Sequence, residues 1–520
     1  MAQARDREEP EEPGAPEAAS RPATTARALL WTAASLPVPG IAHLRMRRRA
    51  AGWAILCCYL VLVAAAAVGA FLVNGDVMRG AQLAVQGRWL LTASVAAFAI
   101  AVLWMTVIVH AWTILRPPGS RLLLRTASAV AVAVLCLAVA VPAAAVVRTA
   151  YTAYDTLNSV FGTEPEGEPP HDASDPWTGR DRVNVLLLGG DAGSNRYGMR
   201  TDSMIVASID VDHGDVVLIG FPRNLENAQF PDDTALAERY PPPYGFDHLL
   251  NDVYQTVAEE PEELAIDPSA DDPAADTLKR VIGNLVDLDL DYYALVDMKG
   301  FSSLIDAVGG IDVHIEDPIP YGQEGNILEE GDQHLDGYEA LWYGRSRVNS
   351  DDYARMGRQG CLLKYVAEQT DPATVLTSFQ ELAGATKKTL RTDIPQSKVA
   401  SFLDLADLVT DQGRMSTLQL SPPQVTTAHP DWKKIRGLIA EAIGDQEEAQ
   451  AAEQEGQADG DDEVAPSASP GDGGSGGAED GAGGAGETAW QEYTGLNEPS
   501  PEAPGRQVGD DATALDALCP

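Results

Sequence analysis

Asn184-Val185-Leu186-Leu187-Leu188-Gly189-Gly190-Asp191 is the stretch from which the fold of this chain is read. Its apolar run, starting at Val183, is too short for a helix and is closed by two glycines, so it predicts a strand that delivers a carboxylate to a sheet edge. Working outward, 203–210 and 216–221 read as further strands joined by a polar turn at 212–214. Residues 277–286 follow a helical pattern, 293–297 a strand, 301–308 a helix closed by Gly309-Gly310, 311–315 a strand and 353–368 a helix. Strand-like and helix-like patterns that alternate in this way predict an α/β domain over 181–445, a mixed sheet flanked by helices.

The flanks are of a different kind. Three apolar runs, 52–73, 89–115 and 122–147, are each about 22 to 27 residues long, enough to cross a bilayer as helices. Arg45, Arg47, Arg48 and Arg49 precede the first, and Arg116, Arg121 and Arg125 separate the second from the third. Both loops are therefore expected in the cytoplasm, which puts everything after about Arg148 on the far side of the cell membrane. The apolar stretch 28–44 is broken by Pro37, Pro39 and Gly40 and reads as interfacial or re-entrant within a membrane region of 28–148. Residues 1–27 read as a disordered tail, 149–180 as a linker, and 446–520 as a disordered acidic tail rich in Gly and Ala.

The 520 residues carry 37 Lys+Arg against 77 Asp+Glu, a net charge of −40. That balance argues against a nucleic-acid binder and, taken at face value, against any polyanionic ligand. By segment the charge is about +2 over 1–180, about −25 over 181–445 and about −17 over 446–520. Five cysteines show no disulfide framework and no zinc spacing. Cys361 reads as a small buried hydrophobe, and His248, His314 and His334 as structural or surface residues.

No phosphate-loop, zinc-protease or nucleophile-elbow motif occurs, and Gly189-Gly190-Asp191-Ala192-Gly193 alone is a weak phosphate cradle. What remains is arginine gathered in a few places of an acidic domain. Asp191 ends a strand; Arg200 and Asp202 begin another, where alternation puts them on one face. Arg223 follows the next strand in Pro222-Arg223-Asn224. Arg345 and Arg347 are expected to share a strand face, and Arg355, Arg358 and Gln359 one helical face after Asp352. Asp–Arg pairs at strand ends are ordinarily surface ion pairs. Two carboxylates with five or six guanidinium groups also suit a diphosphate held with a divalent ion, because oxygen ligands fit Mg²⁺ and forked guanidinium donors fit phosphate.

Taken in order, Asn184 to Asp191, Arg200-Thr201-Asp202-Ser203-Met204, Phe221-Pro222-Arg223, Asp291-Tyr292-Tyr293 with Val296 to Phe301, Asp306 to Val313, and Arg345-Ser346-Arg347 with Asp352 to Gln359 resemble the LytR-CpsA-Psr family over about 181–390. The three spans, the alanine content and the acidic tail look like an actinobacterial member. The resemblance implies a multi-pass, membrane-anchored phosphotransferase with its catalytic domain outside the cytoplasm. Such an enzyme moves an anionic glycopolymer from a polyprenyl-pyrophosphate carrier to a muramic-acid hydroxyl of peptidoglycan through a phosphodiester. Carried over by motif, Asp191 and Asp202 would hold Mg²⁺ (or Mn²⁺), and either could help deprotonate the acceptor. Arg200, Arg223, Arg345, Arg347 and Arg355 would clamp the phosphates, with Arg358 and Gln359 close by. Phe301, Leu304, Ile305 and Val308 are candidates for the wall of a lipid cavity. The alternatives are a pyrophosphatase acting on the same carrier and a non-catalytic receptor for lipid-linked glycans. Three departures from the family pattern stand out: Asn224 in place of Asp, Leu249 where a Lys commonly precedes the Asn251 motif, and Gly360 in place of a second Gln.

Overall fold

In a computed structural model of the chain, the described residues are 25–46, 48–75, 87–116, 122–162, 176–177, 179–191, 198–322, 325–348, 350–371, 374–375, 389–458 and 511–519. The 1–24 part of the N-terminal tail, Ala192 and Gly193, and 459–510 lie outside them. The chain divides into two units, one built on the membrane-type helices and one from Thr152 onward.

In the first unit, α1 (Thr25–Ala34) and α2 (Ile41–Arg45) are short, as Pro37, Pro39 and Gly40 require, followed by α3 (Arg49–Gly75), α4 (Gly87–Leu115) and α5 (Leu122–Val160). The last three each contain a segment long and apolar enough to span a membrane: Arg49–Gly69, Trp89–Leu115 and Leu122–Asp155. Helix α5 runs on through 149–160, which corrects the expected linker. Leu157 and Val160 are buried, so the end of this helix has apolar surface to cover.

The second unit is a seven-stranded mixed sheet in the order β11-β10-β3-β2-β1-β4-β9. Its strands are β1 (Arg182–Asp191), β2 (Arg200–Asp210), β3 (Val216–Gly220), β4 (Tyr292–Asp297), β9 (Leu390–Thr392), β10 (Met415–Gln419) and β11 (Thr513–Ala514). β1 is parallel to β4 and antiparallel to β2, so the opening apolar stretch occupies the middle of the sheet. Its side chains alternate. Leu186 and Leu188 join one core with Val253 and Tyr254 of α6 (Asp252–Glu259), Leu278 and Ile282 of α7 (Pro273–Val286), and Ile435 and Ile439 from the long helix Trp432–Ala458. Leu187 packs into the opposite core, with Ile205, Leu218, Ile305 and Leu362. That second side is covered by α8 (Met298–Val308), α9 (Gly337–Tyr343) and α10 (Asp352–Gln369). Gly309, at φ 98°, closes α8 in the left-handed conformation that glycine adopts without a Cβ penalty. Two short ribbons, β5 (Ile311–Ile315) with β8 (Gly331–Leu335) and β6 (Ile319–Tyr321) with β7 (Asn326–Leu328), complete this side.

The C-terminal expectations need correction at both ends of 446–520. The Trp432–Ala458 helix carries the fold past 445, where Gln446 and Gln450 hydrogen-bond Arg182 and the buried Asp215. Beyond the acidic stretch, β11 adds to the sheet edge beside β10, and the turn of helix Leu515–Leu518 buries Leu515. Cys519 then forms a disulfide with Cys361 of α10, 158 residues away in sequence. Spacing cannot reveal such a pair, because only the sheet brings the two ends together. Cys361 is therefore a buried half-cystine and not a free apolar filler.

Candidate active site

One cavity of about 540 Å³ opens on the α8–α10 side of the sheet. Part of its lining is apolar: Leu187, Ile205, Ala294, Val296, Phe301, Leu304, Leu363 and Leu390. Another part is charged: Asp191, Asp202, Asp297, Arg223, Arg345, Arg347 and Arg355, with Gln359 and Ser203 beside them; Asp297 is engaged as the N-cap of α8, its Oδ1 accepting from Gly300 N at 2.7 Å. Of the four residues expected in a lipid-cavity wall, Phe301 and Leu304 line it, while Ile305 belongs to the packed core behind. Val308, at the far end of α8, is not among the lining residues.

The two carboxylates arrive from adjacent strands at a break in the ladder. Gly189 pairs with Ser203 and Gly190 with Thr201, which leaves Asp202 as an extra residue on β2. A register shift of this kind turns a side chain away from strict alternation. It corrects the expectation that Arg200 and Asp202 share a face. Asp202 lines the cavity, whereas Arg200 is half exposed, pairs with Asp252 of α6 at 3.2 Å and does not line it. Gly189 sits against this break with the Ser203 Cβ 2.9 Å from where its own Cβ would lie, so a larger residue there would push β2 off the site.

Around Asp202 the charges interlock. Its Oδ1 accepts hydrogen bonds from Arg223 Nη1 at 2.9 Å and Asn251 Nδ2 at 3.2 Å, and its backbone carbonyl accepts one from Arg355 Nη2 at 3.1 Å. Burial alone would raise the Asp202 pKa, but Arg223, Asn251 and Arg355 outweigh it and hold the carboxyl below the usual range. Asp352, at the start of α10, ties three guanidinium groups together: Arg347 at 3.1 Å, Arg355 at 3.2 Å and Arg223 at 3.4 Å. Burial acts to lower the pKa of Arg223, and the Asp202 and Asp352 carboxylates more than reverse it. Arg347 is shifted down, first by burial and then by the neighbouring positive charge of Arg223. Asp191 Oδ2 lies 3.4 Å from Arg345 Nη2.

Arg345 and Arg347 do not lie on a strand. They follow α9 in a turn, and Arg358 is what holds that turn. Its guanidinium is buried and donates from Nε to Tyr343 O at 2.8 Å, with Nη2 bonded to Ser346 O. Burial pushes its pKa down to about 10, so it remains a cation at neutral pH. Arg358 is therefore a positioning residue beneath the site; it does not line the cavity. Gln359 does line it, accepting from Ser203 Oγ at 3.0 Å and donating to Gly344 O at 3.1 Å. Asn224 faces away, toward Thr427 Oγ1 at 3.4 Å, so this departure falls outside the cavity.

Sequence reasoning gave no role to Asp352 or Asn251. The signal for Asp352 was its place three residues before Arg355, a spacing that makes helical ion pairs. Asn251 was marked only as part of a family motif; its role was hidden because its partner Asp202 is 49 residues away.

The site's setting agrees with what the chain is similar to. The LytR_cpsA_psr family matches residues 147–441. A polyisoprenyl-teichoic acid–peptidoglycan teichoic acid transferase TagU of Halalkalibacterium halodurans is 26% identical over 218 residues, 41% of this chain and 62% of that protein. The protein of the same name from Bacillus anthracis is 24% identical over 256 residues, 48% of this chain and 74% of its own length. Among solved structures, B. subtilis TagV is 23% identical with a TM-score of 0.36, over 49% of this chain and 95% of that one. TagT bound to LIIa-WTA is 16% identical, also at 0.36, over 53% and 95%. A family match that extends from the end of α5 through six of the seven sheet strands and the whole cavity lining is decisive, and the chain belongs to the LytR_cpsA_psr family.

Proposed function

We propose that the chain is a transferase that moves an anionic glycopolymer from a polyprenyl-pyrophosphate carrier to peptidoglycan. The observation that carries this reading is one cavity whose wall is apolar on one part and bears four arginines and three aspartates on another. A carrier lipid with a diphosphate head needs both, and a hydrophobic tail buried beside guanidinium clamps satisfies the two demands at once. The relatives named as teichoic acid–peptidoglycan transferases support the direction of transfer.

In the proposed reaction, a muramic-acid hydroxyl oxygen attacks the phosphorus that bears the glycan. The bond from that phosphorus to the bridging oxygen breaks, polyprenyl phosphate leaves, and a phosphodiester remains on peptidoglycan. Arg223, Arg345, Arg347 and Arg355 bind the phosphate oxygens and offset charge on the leaving group. Asp202, already held ionised by Arg223 and Asn251, is assigned to cation binding; Asp191, which would share the cation, is also proposed to take the acceptor proton. Among the described residues no cluster of three metal-ligating side chains occurs. The donor set fits Mg²⁺, which is commonly held by one or two carboxylates with water and substrate phosphate as the other ligands. Asp191 and Asp202 would hold it, and it would neutralise phosphate charge. Arg200 is proposed to reach the substrate only by leaving Asp252.

An extracytoplasmic position for the domain is part of the proposal. The arginines that flank the membrane-type helices support it. So does the Cys361–Cys519 disulfide, a bond that persists in oxidising compartments. Incubation of the full chain in detergent with Mg²⁺, a polyprenyl-pyrophosphoryl glycan and peptidoglycan fragments tests the activity. A phosphodiester-linked product is expected; inorganic phosphate alone, or binding without turnover, refutes it in favour of a pyrophosphatase or a receptor.

A further inference from the structure

Beside the charged part of the cavity lies an aromatic group that the proposed chemistry does not use. Helix α9 places Tyr338 and Trp342 four residues apart, hence on one face. Their ring centroids are 6.2 Å apart and steeply inclined, and the Tyr321 ring of β6 also lies 6.2 Å from that of Tyr338. Trp342 and Tyr321 line the cavity. Arg345 stands over the Trp342 ring, its Cζ 5.1 Å from the centroid, so the aromatic group begins where the phosphate clamp ends. Tyr338 is 50% exposed; among described residues after 160, it and Tyr244 are the only large hydrophobic side chains left so open.

Carboxylates fringe these rings. Glu339 Oε1 is 3.4 Å from the Tyr321 hydroxyl, and its Oε2 accepts from the Asp336 backbone in the capping box that starts α9. A polyisoprenyl chain gains nothing from carboxylates, and a phosphate-bearing polymer repeat is repelled by them. A neutral pyranose ring suits both features, with its C–H face on aromatic rings and its hydroxyls donating to carboxylate oxygens. We propose that Tyr338 and Trp342, with Glu339, form a carbohydrate subsite for the sugar attached directly to the donor's pyrophosphate. This rests on the pyrophosphate reading of the Arg345 site, and it makes α9 a determinant of which glycan is accepted.

The test compares the binding of two probes to the full chain in detergent: a short-chain polyprenyl pyrophosphate and the same lipid pyrophosphate bearing one N-acetylhexosamine. Wild-type protein is expected to bind the sugar-bearing probe roughly five- to tenfold more tightly, the scale of one aromatic stacking contact. Tyr338→Ala removes most of that ratio and leaves affinity for the sugar-free probe as it was, while Tyr338→Phe keeps it. Melting temperature is read alongside to show that each variant is folded. Equal weakening of both probes by Tyr338→Ala makes the rings part of the lipid wall and overturns the proposal, as does a wild-type ratio near one. Failure of wild type to bind either probe overturns the pyrophosphate reading as well.

Discussion

Asp352→Asn separates what holds the arginine cluster together from what the cluster binds. The Asp352 side chain is 19% exposed and bonds Arg355, which is 4% exposed, as well as the more open Arg223 and Arg347. The Arg347 pair, at 40% exposure, is discounted to less than about 1 kcal/mol. The Arg355 pair is nearly dry, and losing its carboxylate leaves a buried cation with only Asp202 to offset it, so the total cost is about 2–4 kcal/mol. For a domain of this size that lowers the melting temperature by roughly 5–15 °C. Inorganic pyrophosphate should move the other way. Removing one negative charge several ångströms from an anion relieves repulsion of about 1 kcal/mol in a half-wet site, so binding tightens about fivefold. Thermal melts and isothermal titration with pyrophosphate, without metal, read both. A variant that melts like wild type refutes the structural role of Asp352, and one that binds pyrophosphate more weakly refutes the reasoning that its charge opposes the bound anion.

Other outcomes follow from the same contacts. Asp202 has a depressed folded pKa, so its stabilising contribution is present above the unfolded value of about 4 and disappears as pH falls through the lower folded one. The melting-temperature gap between wild type and Asp202→Asn should therefore be constant from pH 5 to 8 and narrow only in stronger acid; a gap that instead changes near neutrality contradicts the assignment. Reduction of Cys361–Cys519 opens a loop closed across 158 residues and should destabilise the domain by about 2–5 kcal/mol. The paired Cys361→Ser, Cys519→Ser variant should melt at the lower temperature with or without dithiothreitol. Arg358→Lys cannot reproduce both the Nε bond to Tyr343 and the Nη2 bond to Ser346. It should weaken pyrophosphate binding through a loosened Arg345–Arg347 turn although residue 358 touches no ligand, and crystallography of the variant would show that turn displaced.

The strands and helices around the site were legible because each carries its own signal. Residues 183–188 are a short apolar run closed by glycine, and Gly309-Gly310 ends α8 where a left-handed cap is needed. The gathering of Asp191, Asp202, Arg223, Arg345, Arg347 and Arg355 was legible through a pattern of separate motifs, and one cavity now joins them. Local rules failed where a long-range partner decides the conformation. Alternation misplaced Arg200 because one extra residue on β2 breaks the ladder. The Arg345–Arg347 turn looked like a strand because its conformation is dictated by a buried arginine from the next helix. The edge strand Thr513–Ala514 has no propensity of its own to reveal; β10 supplies its hydrogen-bond partners and Cys361 its tether. Net charge misled in the same way, since −40 averages over solvated acidic surface while the cavity gathers four arginines.

The central claim is that the glycan leaves its carrier together with one phosphate. A polyprenyl-pyrophosphoryl glycan labelled with ³²P on the sugar-proximal phosphorus, incubated with the full chain and peptidoglycan fragments, follows that atom directly. The account predicts label covalently bound to peptidoglycan, unlabelled polyprenyl phosphate released, and loss of both products in Arg355→Ala. Label remaining on the lipid or appearing as free phosphate would contradict it.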